Sequence, residues 1–216
     1  GNFSWAEARL LKVAQSPGAV GKWYDQLKNY KDNQPGAICS GMIRTKEELE
    51  SILMDNPNYL ISGSKPDVGM LNYLDIRGTD GSDGPNGVFS FDMIEDRTVI
   101  AQHTSPVYYY GSTLNLKYKF VSFETTLSGK FGHKVFYDKE AIQLPTSTTN
   151  VPAFWADHWT PDNPDASYPR AYNYGLVGNY STFWMRDGHT LRITDIKISF
   201  IAPGKWIEKF GLSQFR

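Results

Sequence analysis

Val107-Tyr-Tyr-Tyr-Gly-Ser-Thr-Leu-Asn-Leu-Lys-Tyr-Lys-Phe-Val-Ser-Phe-Glu-Thr-Thr-Leu-Ser-Gly-Lys-Phe131 pairs with itself. With the reversal centred on Lys119-Phe120, Tyr118 faces Val121, Leu116 faces Phe123, Leu114 faces Thr125, Tyr110 faces Gly129 and Tyr108 faces Phe131. Side chains alternate along a strand, so all of these share one face. Thr113, Asn115 and Lys117 then meet Thr126, Glu124 and Ser122 on the other. One face is apolar and aromatic, and the other is polar and charged, as expected for an antiparallel ribbon with a fixed register. From Tyr108 to Tyr118 the strand would run about 33 Å at roughly 3.3 Å per residue. Tilted, it would cover roughly 25 Å, the apolar band of an outer-membrane barrel, with tyrosines at both ends. The same ribbon could serve as a long hairpin in a soluble β-sandwich. Lys-Phe is a poor type I′ pair, which favours a four-residue loop about the same bond.

The composition narrows the alternatives. The chain has 216 residues with 22 basic and 23 acidic, so nothing in its charge points to nucleic acid. Mean hydropathy is −0.44 and no long apolar run occurs, which excludes a transmembrane helix but not a barrel of alternating strands. The single Cys39 makes no internal disulfide.

Further out, Phe3 and Trp5 alternate with Ser4 and Ala6, predicting a strand within Gly1–Val13. Residues 14–35 read as loop. Thr45 as N-cap with Glu48 three residues on predicts a helix ended by Asn56-Pro57, with Leu49, Ile52 and Leu53 on one face. Val68–Ile76 reads as a short strand. It leads into Asp75–Gly87, a loop rich in oxygen donors and glycine that could wrap calcium, or could be a solvated turn cluster. Arg77 and Thr79 break the EF-hand pattern. Residues 138–182 form a long connection carrying Phe154, Trp155, Trp159, Tyr168 and Tyr172. Phe183–Ala202 reads as a second long strand whose apolar parity changes. A bulge near Thr194-Asp195 would return Leu191, Ile193, Ile196, Ile198 and Phe200 to one face. Trp206–Phe210 reads as a helical turn.

Phe154-Trp-Ala-Asp-His-Trp-Thr-Pro-Asp-Asn-Pro-Asp-Ala-Ser-Tyr-Pro-Arg170 resembles the W-T-P-x-N-P-x-A-x-Y-P-R signature of the SusC/RagA family of TonB-dependent outer-membrane receptors. Phe183-Trp-Met-Arg-Asp-Gly-His-Thr-Leu-Arg-Ile-Thr-Asp-Ile-Lys-Ile-Ser-Phe-Ile-Ala-Pro203 resembles the strand that follows it in the family. Asp75-Ile-Arg-Gly-Thr-Asp-Gly with Asp96-Arg97 resembles the family's D-x-N-G-D-G…D-R loop. The resemblance implies an all-β fold: antiparallel strands forming the C-terminal part of a large transmembrane β-barrel, with one or two short helices. It implies that 14–105 and 138–182 are long extracellular loops, and that the plug, the TonB-contacting segment and the other strands lie outside this chain.

The implied function is uptake of oligosaccharides or peptides across the bacterial outer membrane, with a SusD-like surface lipoprotein and energy from TonB. Trp155, Trp159, Tyr168 and Tyr172 are candidates for stacking on solute or touching the lipoprotein, against plain packing of the loop. Asp75, Asp80, Asp83 and Asp96 are the candidate calcium ligands, and no other cofactor is implied. A transport-inactive scaffold in an outer-membrane complex is the alternative within the family; a soluble carbohydrate-binding sandwich is the alternative outside it. Enzyme activity is not expected. Asp138 with Glu140, and Glu95 with Asp96, are ordinary adjacent acids, and no Ser/His/Asp or Cys/His set accompanies them.

Overall fold

The computed structural model describes residues 1–92, 94–143, 150–171 and 180–203. The chain divides into two compact units, Gly1–Ala8 with Ser105–Lys134 and Asp187–Arg216, and Arg9–Thr104 with Val135–Arg186.

The first unit is a four-stranded antiparallel sheet in the order Asn2–Trp5, Tyr108–Tyr118, Val121–Phe131, Thr190–Phe200. The hairpin has the register its alternation predicts, from Tyr108 opposite Phe131 to Tyr118 opposite Val121. Its turn is tighter than the sequence suggests. Pairing continues to Tyr118 and Val121, so only Lys119 and Phe120 remain in the loop. Lys119 takes φ 52°, the positive φ that the first central residue of a two-residue hairpin turn requires. Thr190–Phe200 carries the expected bulge: the register shifts between Thr194 and Lys197, and Asp195 sits at φ 53°. The extra residue brings Leu191, Ile193, Ile196, Ile198 and Phe200 onto one face, all of them exposed.

Two strand expectations are corrected. The first strand is only Asn2–Trp5, because beyond it the alternation of apolar side chains fails. The long strand expected over Phe183–Ala202 is broken into a 3-10 turn at Thr182–Trp184, a short strand Met185–Asp187 and then Thr190–Phe200. The break falls at Gly188-His189, where the Gly188 amide donates to the His133 carbonyl.

The second unit is built of two-stranded pairs, 3-10 turns and one helix. Its first core joins Ala37, Tyr59, Ile61, Met70, Leu71, Tyr73 and Phe89. The strand expected at Val68–Ile76 shortens to Leu71–Tyr73, paired with Cys39–Met42. The helix runs Lys46–Asp55 with its capping box complete: the Glu48 amide donates to Thr45 Oγ1 at 3.2 Å, and the Thr45 amide donates to the Glu48 carboxylate at 3.4 Å. Ile52 packs on the first core. Thr45→Ala leaves the Glu48 amide without its cap and is expected to cost about 1 kcal/mol. Hydrogen exchange at Leu49 and Ile52 reads that loss directly, and protection equal to wild type would show that packing of Ile52 alone holds the helix. No helix among the described residues is long and apolar enough to cross a membrane, which says nothing of strands.

Candidate functional site

In the sheet, chemistry is divided between the faces by parity. Phe3 and Trp5 pair opposite Tyr110 and Tyr108, so the first strand extends the hairpin's apolar side. On that side Leu114, Leu116, Tyr118, Val121, Leu191, Ile193, Ile196 and Ile198 are exposed, and its regularly paired positions carry no charge; Asp195 stands in the bulge beside Ile196. Aromatic rings gather at both ends. Phe3 stacks with Tyr108 at 6.0 Å, and Phe120 meets Phe200 edge-on at 5.1 Å. The opposite side carries Asn115, Lys117, Ser122, Glu124, Thr126, Lys130, Arg192 and Lys197. Contiguous apolar faces larger than a few hundred Å² mark binding or membrane surfaces rather than the surface of a water-soluble monomer. An aliphatic band between aromatic belts, backed by a polar wall, is the pattern of a lipid-facing barrel segment.

Of the aromatic candidates, Trp155 is buried in the second unit, and Trp159 and Tyr168 are half-buried there. Trp155 is buried with Trp184 and Ile142, and its indole N–H donates to the Ala141 carbonyl at 2.9 Å. Tyr168 stacks on Trp184, with ring centroids 6.0 Å apart and planes 19° apart, and its hydroxyl lies 3.3 Å from that of Tyr137. Trp159 donates its indole N–H to the Arg44 carbonyl at 3.2 Å. Its ring occupies the space where a side chain at position 69 would stand: a Cβ on Gly69 would lie 2.8 Å from Trp159 Cδ2. Gly69 also sits at φ 80°, so glycine is required there twice over. Trp155 therefore presents no free ring face, and Tyr168 presents little. Tyr172 lies outside the described residues. His158 Nδ1 donates to the Trp155 carbonyl at 2.8 Å, closing the turn that carries Trp155.

The W-T-P-x-N-P-x-A-x-Y-P-R stretch is thus a clasp. Arg44 donates to the carbonyls of Pro164 and Ala166 at 2.8 and 2.9 Å. The Arg170 amide donates to the Gly69 carbonyl at 2.9 Å, and its guanidinium donates to Asp67 at 2.6 Å. Partial burial raises the Asp67 pKa, but hydrogen bonds from Arg170 and the Val68 amide, with the Arg170 charge, outweigh it and hold the carboxyl below its ordinary value. A depressed pKa contributes stability that is complete above the unfolded value of 3.8 and is lost as pH falls through the folded value. Acid titration of the clasp, followed by proteolysis within 150–171, should therefore show loosening below about pH 4 that Arg170→Gln removes. The same acid response in both proteins would mean that another carboxylate governs it.

The four candidate calcium ligands do not converge. Asp96 is fully buried and accepts from the amides of Ile76, Arg77 and Ser90 at 2.7, 2.9 and 2.8 Å. Asp75 accepts from the amides of Asn86 and Gly87 at 3.1 and 2.6 Å. Asp80 caps the Ser82 amide, and Asp83 lies 3.5 Å from Arg77. Partial burial, reinforced by the neighbouring Asp96 carboxyl, raises the pKa of Asp75. Calcium needs six to eight oxygens aimed at one point, whereas Asp75, Asp80 and Asp96 accept from backbone N–H groups and Asp83 lies against Arg77. Among the described residues no three acidic, His or Cys side chains form a metal-binding group. The residues present do not fit the ion. Sequence reasoning found Asp96 but not its role, which is to hold the Ile76-Arg77 and Ser90 segments through their backbone amides. Nothing local in the sequence marks Trp184 as the centre of a core.

The sheet defines the class: a segment of a transmembrane β-barrel wall. No protein-family model matches the chain. TonB-dependent receptor P26 of Formosa agariphila is 23% identical to it over 183 residues, covering 82% of this chain and 16% of that protein. A structure of the RagAB peptide transporter matches with TM-score 0.50 and 15% identity, covering 82% of this chain and 17% of the other. The RagAB peptide importer in its closed-closed state matches with TM-score 0.50 and 14% identity, covering 83% and 17%. The chain is thus similar in sequence to a TonB-dependent receptor and in fold to the RagAB barrel, and it is an outer-membrane segment. It spans about a sixth of the length of these proteins.

Proposed function

We propose that this chain is part of the wall of an energised outer-membrane importer that takes up peptides or oligosaccharides. The carrying observation is the sheet itself, whose three strands of 11 residues keep charge off every regularly paired position of one face, Asp195 in the bulge aside. Four strands leave two open edges, and open edges in hydrocarbon cost several kcal/mol per unsatisfied group, so the sheet works within a closed barrel. We place the second unit on the extracellular side, since its buried carboxylate and paired side chains suit water rather than lipid. There it would meet a surface lipoprotein of SusD type, with TonB supplying the force for transport. The similarity to TonB-dependent receptors and to the RagAB fold supports this reading. Trp155 and Tyr168 would hold that unit together, and contact with solute or lipoprotein would fall to neighbouring exposed side chains. No residue of this chain is assigned a chemical step.

The test is growth and uptake by cells with and without the gene, supplied with defined peptides or oligosaccharides as sole nutrient, with the proton-motive force intact or collapsed. Uptake that needs both the gene and the force supports import. Equal uptake in all arms, with an outer-membrane complex lost on deletion, replaces import with the scaffold role.

A further inference from the structure

We propose that a cleft in the second unit takes the ammonium group of a peptide, at its amino terminus or on a lysine side chain. The inference rests on the importer reading and deepens it by naming peptide as the solute class. The cleft runs along the flank of the helix Lys46–Asp55, against the strand pair Cys39–Met42 and Leu71–Tyr73. Its volume is about 350 Å³, the size of a small-ligand site. It owes its existence to a missing side chain. The register shifts at Ser40, and Gly41, at φ 143°, pairs opposite Asn72. A Cβ at position 41 would meet nothing within 4 Å, so bare backbone stands beside open space there.

Met42, Ile43 and Ile52 supply the apolar lining, and Ser40, Glu48, Ser51 and Asn72 the polar lining. Two acceptors on it lack donors among the described residues. Asn72 Oδ1 is buried without a hydrogen-bond partner. Glu48 spends Oε2 on the amides of Arg44 and Thr45, at 2.6 and 3.4 Å, and its Oε1 accepts from no group. The surrounding charge is negative. The helix carries Glu47, Glu48, Glu50 and Asp55 against Lys46 alone, while the Arg44 guanidinium turns to the carbonyls of Pro164 and Ala166. Such a field draws cations. A primary ammonium has three donors and no acceptor, which matches a carboxylate oxygen set among hydroxyls and an amide. No aromatic ring lines the cleft, so the face of a sugar has nothing to stack on. Its small, half-polar hollow also lacks the apolar centre of a lasting protein interface, which favours a solute over the lipoprotein.

The test is competitive uptake by cells carrying the whole protein in their outer membrane, with its surface copy number measured. The probes are three forms of one peptide and a neutral oligosaccharide. One peptide has a free amino terminus and no lysine, one is acetylated with a lysine, and one is acetylated without lysine. Glu48→Gln keeps the capping geometry and removes the charge. Uptake of a cationic form relative to the acetylated, lysine-free form should then fall about fivefold, the effect of one charge pair about 4 Å apart in water. The form that loses its advantage tells the amino terminus from the lysine. Ser51→Trp, at an exposed position on the cleft wall, should close the cleft and abolish the same preference. Glu47→Gln, on the same helix but outside the lining, should leave it unchanged. An unchanged ratio in Glu48→Gln overturns the cleft while import stands, and so does uptake of the oligosaccharide but of no peptide. Loss of the protein from the surface, or of its lipoprotein, in Ser51→Trp would mean that protein fills the cleft, and overturns the proposal as well. Uptake of no probe by the wild-type protein overturns import and the cleft together.

Discussion

Leu116→Arg is expected to lower the stability of the bilayer-inserted protein, by about 2–4 kcal/mol if residue 116 stands mid-membrane and by less toward the interface. Leu116 is more than half exposed on the apolar side of the hairpin, opposite Phe123 and away from the polar wall. Its sequence neighbour Lys117 points the other way, so Lys117→Ala should change stability by no more than about 0.5 kcal/mol. The two substitutions are adjacent in sequence and differ only in which solvent they meet. Urea unfolding of the protein refolded into lipid vesicles measures both. In a soluble sandwich an exposed leucine tolerates arginine easily, so equal tolerance of the two changes would remove the membrane assignment. The same comparison at Ile198 and Lys197 repeats the test on the returning strand, beyond the bulge.

Trp184→Ala should destabilise the second unit by about 3–5 kcal/mol, the range for deleting a fully buried large aromatic side chain. Trp184 is 0% exposed and lies at the centre of an aromatic cluster. Phe183 meets it edge-on at 4.8 Å, and Tyr137 stands 5.6 Å away. Tyr168 stacks on it at 6.0 Å, with Trp155 at 6.1 Å. Removing the indole opens a cavity that four rings cannot fill together without breaking Tyr168 from Tyr137 or Trp155 from Ala141. The helix residue Met54 is 82% exposed and supplies the control, since Met54→Ala should be nearly neutral. Proteolysis of 135–186 over a urea gradient reads the difference. A loss at Trp184 no larger than at Met54 would show that the cluster is ornamental to the unit's stability.

Side chains that act through a local period could be read directly from the sequence. The hairpin register, the bulge near Asp195 and the capping box at Thr45 follow from alternation or from a three-residue spacing, and the structure has all three. The ends of strands were less legible. Nothing in Phe183–Ala202 announces the break at Gly188-His189, because it depends on a hydrogen bond to His133, more than fifty residues away in the chain. The tight turn at Lys119 likewise goes against local preference, the pairing of two long strands imposing a positive φ on a lysine.

The aspartate loop and the tryptophan motif show where pattern reading runs out. Asp75, Asp80, Asp83 and Asp96 have the composition of a cation loop, and composition cannot say what a carboxylate faces. In the structure each faces a backbone amide or an arginine, and the loop closes on itself. Trp155 and Tyr168 could by sequence stack on solute or pack the loop, and the structure has Trp155 buried and Tyr168 half-buried against Trp184.

By itself the sequence determined the two-faced hairpin and its register, because strand alternation writes the solvent of each face into every second residue, while the resemblance to TonB-dependent receptors rests on the motifs of 154–170 and 183–203. Only the tertiary structure decided that the motif Trp159–Arg170 is a clasp, that Asp96 holds the Ile76-Arg77 and Ser90 segments, and that Trp184 is a core. Those roles depend on which groups meet across distant parts of the chain, and a buried ring or carboxylate has the same local sequence as an exposed one.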